Sequence, residues 1–418
     1  MDSAGMSNRK QLAEGTIVPG ETRFIDDSHN DVPRTNCETP IYTIDLSLPP
    51  VKRYQHVATD FKEQTAALLP LFDEIVLGMK PDAEVGRVRR IARLLLRRVY
   101  YDEETEELRG ISEACGIELW LLVAYNVLLD LFMGCTSGAA KVDDGQGGKK
   151  MLHFRTLDWG MDPLRKVVVQ LDFVEKPGGE VIASSITYVG YVGVLTGVRK
   201  GLSMSLNFRP NHDRSTWLAN FQFYFHHILV LLGFRPSISS LLRQQLLPSQ
   251  KLSRYSTAAK PTLESIERTL PSIGTTAAYL IFSDGNRTIT MEKDHHAAIV
   301  ISSRDFIVAT NHDAAEETSP NSQSQSEPDS SNSLEATGMQ GLVDDSMHRK
   351  ALAKNLWNRS LRKTKRGTSH QELITKNTVV DWIGTYPISN EETHYATILD
   401  PMAGNVAWTE RYTEPLAS

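Results

Sequence analysis

A chain of 418 residues with 45 Lys and Arg, 51 Asp and Glu and a formal net charge of −6 offers no basic excess to a nucleic acid. Its 40% hydrophobic and 23% charged residues are those of an ordinary globular chain with room for two or three domains. No apolar run is long and clean enough for a transmembrane helix, and three cysteines are too few for a disulfide framework.

Residues 1–38 read as a disordered tail. Met1 to Asn36 is polar with scattered charges and has no apolar h-region, so no secretory signal is expected. That points to an intracellular setting by default; a lysosomal or vacuolar one would need a leader upstream. Pro40 to Leu46 alternates as a strand and is stopped by Pro49-Pro50. Thr59 to Met79 carries Phe61, Leu68, Leu69, Phe72, Ile75 and Val76 at helical spacing, with Pro70 placed to kink or split it. Glu84 to Tyr101 is a second helix whose polar face holds Arg87, Arg89, Arg90, Arg93, Arg97 and Arg98. That face is either a docking surface for anionic lipid headgroups or a solvated face partly neutralised by the acidic run from Asp102 to Glu107. Cys115 reads as a small core residue. Gly116 to Phe132 is apolar but interrupted by Glu118, Asn126 and Asp130, which makes it a central buried helix.

From Met151 onward the pattern changes to short runs. Met151–Arg155, Val167–Phe173, Val181–Tyr188, Val192–Thr196 and Leu202–Asn207 read as strands. Trp217 to Phe234 crowds aromatic and aliphatic residues together. It is either a core helix or an apolar surface that collects lipid. Helices are expected over Pro236–Leu247 and Pro261–Leu270, and strands over Ala277–Phe282, Thr288–Glu292, Ala297–Ser302 and Phe306–Thr310. A polar stretch rich in Ser, Glu, Asn and Gln, 314–341, reads as a disordered insertion. A helix then runs from Ser346 to about Trp357. Ser369 to Glu372 is a capping box that opens another, to Trp382. Strands His394–Leu399 and Val406–Thr409 end the chain. This order fits two sheets sandwiched between helical layers.

One stretch carries chemistry. Met133-Gly134-Cys135-Thr136-Ser137 places a cysteine after a glycine at the end of the buried helix, and Gly tolerates the strained backbone that self-cleavage requires. His153-Phe154-Arg155-Thr156-Leu157-Asp158-Trp159-Gly160 follows, with Arg155 and Asp158 three apart. An N-terminal-nucleophile hydrolase cuts its own chain before such a residue, which then supplies both nucleophile and α-amine. A thiol titrates near ~8.5 and an α-amine near ~8, so the amine can serve as base and the thiolate as nucleophile.

The chain resembles the acid ceramidase and N-acylethanolamine acid amidase family, a branch of the choloylglycine-hydrolase-like N-terminal-nucleophile cysteine amidases. The matching stretches are Tyr125 to Phe132 leading into Cys135-Thr136-Ser137; Arg155 to Trp159; Gly190 to Gly197; Ser205-Leu206-Asn207-Phe208-Arg209; and Ala309-Thr310-Asn311-His312-Asp313. The resemblance implies an α+β protein with the αββα sandwich. A helical α-subunit over 39–134 would precede a catalytic β-subunit over 135–418, cut between Gly134 and Cys135 and held as a heterodimer. It implies hydrolysis of a lipid amide, ceramide first, with an N-acylethanolamine, another linear amide, or an uncleaved lipid-binding role as alternatives. Peripheral membrane contact through the apolar and basic helices would accompany it. Cys135 would attack. Asp158 would hold its α-amine. Arg155 would lower the thiol pKa. Asn207 and Asn311 would donate to the oxyanion, and Arg349 would stand nearby. Phe208 departs from the acidic residue of the animal members, and Arg209 is supportive. No cofactor or metal is expected; His153, His312 and His394 lack ligand spacing.

Overall fold

A computed structural model describes residues 38–66, 68–128, 134–212, 216–247, 260–318, 333–365 and 373–416. The expected tail, apart from Glu38, lies outside them. The N-terminal segment contributes strand β1 (Ile41–Asp45) and helices α1 (Pro50–Arg53), α2 (Gln55–Asp60), α3 (Lys62–Thr65), α4 (Leu68–Met79), α5 (Val85–Leu95), α6 (Asp102–Cys115) and α7 (Leu119–Leu128). Strands β2 (Gly134–Asp143), β3 (Lys149–Asp158), β4 (Val168–Val174), β5 (Val181–Tyr188), β6 (Thr196–Arg199) and β7 (Leu202–Phe208) follow. Next come α8 (Trp217–Leu231), α9 (Ile238–Leu246) and α10 (Leu263–Thr269), then β8 (Ala278–Ser283), β9 (Thr288–Lys293), β10 (Ala298–Ser303) and β11 (Phe306–Ala309). Helices α11 (Ser333–Lys365) and α12 (Lys376–Ile383) precede β12 (Thr393–Asp400) and β13 (Asn405–Arg411).

The strands form an eight-stranded sheet, β1-β4-β5-β6-β7-β8-β9-β10, and a five-stranded sheet, β11-β2-β3-β12-β13. The two pack face to face, with α9 and the N-terminal helices on the outer side of the larger and α11 and α12 on the outer side of the smaller. This is the expected layering of helix, sheet, sheet and helix. β1 pairs in parallel with β4, so the N-terminal segment supplies an edge strand of the larger sheet. The inner faces meet through paired polar groups. The His153 ring lies 2.9 Å from both Ser203 Oγ and Ser205 Oγ, Tyr188 Oη 2.8 Å from His394 Nδ1, and Thr196 Oγ1 2.8 Å from Tyr395 Oη. Buried polar networks of this kind fix one relative placement of two sheets because any slip leaves donors unsatisfied.

Several elements depart from expectation. The helix expected over Thr59–Met79 is three short ones, and Pro70 stands in the first turn of α4, where its missing N–H breaks no bond. The acidic run from Asp102 to Glu107 opens helix α6, which continues to Cys115; its buried Glu104 and Glu107 face Arg243 and Arg53. β2 is built from small residues whose low hydrophobicity hides a strand. β6 begins at Thr196 because the Gly190 to Gly193 stretch turns. Within the expected insertion 314–341, Ala314–Thr318 is a 3-10 turn and α11 starts at Ser333, where Leu, Glu, Ala, Met and Gln favour helix. The box over Ser369–Glu372 lies outside the described residues; α12 is capped instead by Thr375 with Thr378.

Candidate active site

Strands β2 and β3 bring the motif residues together. Their register sets Cys135 against Leu157, Ser137 against Arg155 and Gly134 against Asp158. Alternation therefore turns Cys135, Ser137 and Arg155 toward the inner face, and Thr136 and Asp158 toward the face that α11 covers. Cys135 and Arg155 are diagonal neighbours, and Arg155 Nη2 donates to Cys135 Sγ at 3.3 Å. Arg155 also donates to the Leu195 carbonyl of the other sheet, while its Nε has no hydrogen-bond partner among the described residues.

On the opposite face, Arg349 of α11 reaches through to the strand ends. Its Nη1 donates to Thr136 Oγ1 at 3.0 Å and to Asp158 Oδ2 at 3.3 Å; its Nη2 donates to Asn311 Oδ1 at 3.1 Å. Thr393 Oγ1 donates to Asp158 Oδ1 at 2.7 Å. Asn311 follows β11 and completes the link, because its Oδ1 accepts the backbone N–H of Cys135 at 2.8 Å. All six residues singled out in the sequence are thus fully or almost fully buried in one cluster.

Three details differ from the expected roles. Asp158 does not hold the Cys135 nitrogen; strand parity places it opposite Gly134, and Asn311 takes that nitrogen. The amides of the two asparagines do not face an oxyanion in this arrangement. Asn207 Nδ2 donates to the carbonyls of Ala309 and Thr310, and Asn311 Nδ2 to that of Phe208. Asn207 Oδ1 accepts from Ser137 Oγ at 2.7 Å, so Asn207 braces β2 against β11. Finally, burial pushes the Cys135 thiol up, and the lowering by Arg155 does not offset it. Burial also carries Asp158 up to about 7, against the lowering by Arg349 and Thr393.

Sequence reasoning missed Ser137, Thr136, Thr393 and Asp345, which accepts from Arg349 Nε at 2.8 Å. Hydroxyls in strands carry no signature of their own; only the register reveals them. Arg209 grips Asp313 with two bonds of 2.8 Å and so ties the residues just after Asn207 and Asn311. No group of three or more potential metal ligands occurs among the described residues.

Comparison with known proteins finds relatives of the chain. Residues 38–100 match the family described as the beta subunit of N-acylethanolamine-hydrolyzing acid amidase. Mouse acid ceramidase is 30% identical over 188 residues, 41% of this chain and 45% of that protein. The chain is thus similar to acid ceramidases and to the N-acylethanolamine acid amidase family over part of its length. Human acid ceramidase is 27% identical over 187 residues, with the same coverage. The solved structure of the Caenorhabditis elegans N-acylethanolamine-hydrolyzing acid amidase (NAAA) ortholog is 20% identical, covers 66% of this chain and all of its own, and superposes with a TM-score of 0.44. The match spans about half the length of the curated relatives. The family description uses beta for the stretch expected as an α-subunit; here it is called the N-terminal segment.

Proposed function

We propose that this chain is an amidohydrolase that releases a fatty acid from an N-acylated lipid, with Cys135, freed by scission of the Gly134–Cys135 peptide, as the nucleophile. One observation carries the reading. The Cys135 thiol is buried against Arg155 while its backbone nitrogen, the future α-amine, is held at 2.8 Å by Asn311 Oδ1. In the intact chain Sγ attacks the Gly134 carbonyl carbon and the C–N bond breaks. The thiol proton ends on the Cys135 nitrogen, and water hydrolyses the thioester to a Gly134 carboxylate and a free thiol. Asp158, opposite Gly134, is held beside the scissile peptide by Thr393 and Arg349. In turnover the freed amine accepts the thiol proton and gives it to the leaving amine, and water then cleaves the acyl-enzyme. Arg155 Nε, a buried donor with no acceptor among the described residues, is available to the developing oxyanion.

Two features support a lipid substrate. Trp217 is 79% exposed at the start of α8, and Leu218, Phe221, Tyr224, Phe225 and Ile228 are exposed along it. Ile91, Leu94 and Leu95 of α5 are exposed as well. These faces support peripheral contact with a lipid surface. Arg89 and Arg93 of the basic face are engaged by Asp73 and Glu118, which leaves less of it for headgroups. Once cut, the two pieces stay joined by β1–β4 pairing and by Arg243, which donates to Glu107 at 2.6 Å.

The test is a gel and an assay on one preparation. Two chains, one beginning at Cys135, and fatty-acid release from ceramide or an N-acylethanolamine are expected. A cut chain that hydrolyses neither would end the reading; an uncut chain that only binds lipid would replace it.

A further inference from the structure

The two sheets share an open edge, because β10 ends the larger and β11 the smaller. There lies a cavity of about 190 Å³, lined by apolar Ile301 and Phe306 and by His312, Glu317, Lys350 and Lys354. None of the polar four enters the chemistry above.

The polar end is built around a buried imidazole. His312 Nδ1 lies 2.7 Å from Ser346 Oγ and 3.1 Å from Thr310 Oγ1. Ser346 Oγ accepts the Asn311 N–H at 2.6 Å and has one proton to give; in the tautomer in which that proton goes to Nδ1, the ring hydrogen sits on Nε2. That Nε2 is buried with no hydrogen-bond partner among the described residues. Glu317 Oε1 is 3.7 Å away, too far for a bond. A buried donor without an acceptor is costly, and here it faces a cavity. Glu317 is itself held by Lys350 at 2.7 Å and Lys354 at 2.5 Å. The chain's own carboxylate therefore marks the head group that this pocket accommodates, with apolar side chains beside it.

We propose that this edge cavity is a second ligand site, for a small carboxylate with an apolar tail whose head takes the place of Glu317 between Lys350 and Lys354 and accepts the His312 Nε2 hydrogen. Burial beside Lys350 keeps His312 neutral, with its pKa lowered to about 4, so it acts as a neutral donor. The site communicates with the catalytic cluster through Ser346, which bonds both His312 and the Asn311 backbone. The inference stands whether or not the hydrolase reading holds.

Octanoate is the probe, titrated into the full chain by calorimetry. Glu317→Ala removes the internal competitor and should tighten octanoate by about tenfold, whereas Ile301→Trp fills the cavity and should weaken it by about tenfold. Octan-1-ol, without the charge, should bind more weakly than octanoate. Melting curves establish that each variant folds; if Ile301→Trp does not, Glu317→Ala decides alone. Octanoate affinity unchanged or weakened by Glu317→Ala overturns the proposal, as does affinity indifferent to a folded Ile301→Trp, which would place the probe elsewhere, including at Cys135.

Discussion

Asn311 Oδ1 accepts two hydrogen bonds, one from the backbone nitrogen of Cys135 at 2.8 Å and one from Arg349 Nη2 at 3.1 Å. A single side-chain oxygen thus ties the strand of Cys135 to the helix on the far side of the sheet. Asn207, the other asparagine of the cluster, has no bond of this kind; it spends its amide on β11 carbonyls. The two should therefore respond differently to truncation. Asn311→Ala releases the Cys135 nitrogen and Arg349 Nη2, so it should lower kcat and slow chain scission beyond any fall in melting temperature. Asn207→Ala leaves Ser137 Oγ and two carbonyls without partners, so it should lower the melting temperature first. Equal kcat losses with equal melting temperatures would show that the roles are not divided in this way.

What the sequence made legible was local. Cys135, Arg155 and Asp158 sit within one hairpin, so closeness in sequence together with the family motif gathered them. Asn311 and Arg349 lie far along the chain, and only the family pattern pointed to them. Their partners were hidden for a physical reason: which hydroxyl meets which carboxylate depends on strand register, as with Thr393 and Asp158. Helix α6 was hidden for another. Its Glu104 and Glu107 read as solvated charges until Arg53 and Arg243, distant in sequence, supply their partners. The Trp217–Phe234 stretch was ambiguous because a uniformly apolar helix has no polar side to orient it; exposure decides for the surface.

That buried carboxylate on α6 makes stability depend on pH. Burial raises Glu104 from 4.5 to about 7, with Arg243 and Ser240 lowering it only in part. Its Oε1 finds no hydrogen-bond partner among the described residues. The folded pKa is above the unfolded one, so the folded chain holds this proton more tightly. The stability it contributes is fully present below about 4.5 and is lost as pH rises through about 7. Asp158 acts in the same direction. Over the same range the buried His153, His226, His312 and His394, lowered to about 3, 3, 4 and 3, gain stability as pH rises and oppose the two acids, so Glu104→Gln should make the change of melting temperature from pH 5 to pH 8 more positive than in wild type. A slope identical to that of wild type would remove Glu104 from the account.

The exposed face of α8 should matter for presentation of substrate rather than for chemistry. Phe221 and Phe225 stack on each other with ring centroids 5.8 Å apart and are both exposed. Phe221→Glu and Phe225→Glu should reduce cleavage of an amide embedded in vesicles severalfold, while cleavage of a short, water-soluble amide stays near wild type. Exposed charge costs little folding stability, so melting should not move by more than about 0.5 kcal/mol equivalent. Equal loss on both substrates would assign the helix to the catalytic cleft instead.

The last prediction separates scission from turnover at Cys135. Cys135→Ala removes the thiol that Arg155 faces, so both cutting and hydrolysis should vanish. Cys135→Ser keeps a group of similar shape but one almost never ionised near neutral pH, and so a far weaker nucleophile. Scission is intramolecular: the attacked Gly134 carbonyl belongs to the preceding residue, and the strand holds it at high effective concentration. A lipid amide must arrive from outside and has less of that help. The serine chain should therefore cut itself slowly yet release fatty acid at least 10²-fold more slowly than wild type, an order set by loss of the thiolate. Following chain cleavage on a gel and fatty-acid release in the same sample decides it. Fatty-acid release at the wild-type rate from the alanine chain would mean that Cys135 is not the nucleophile.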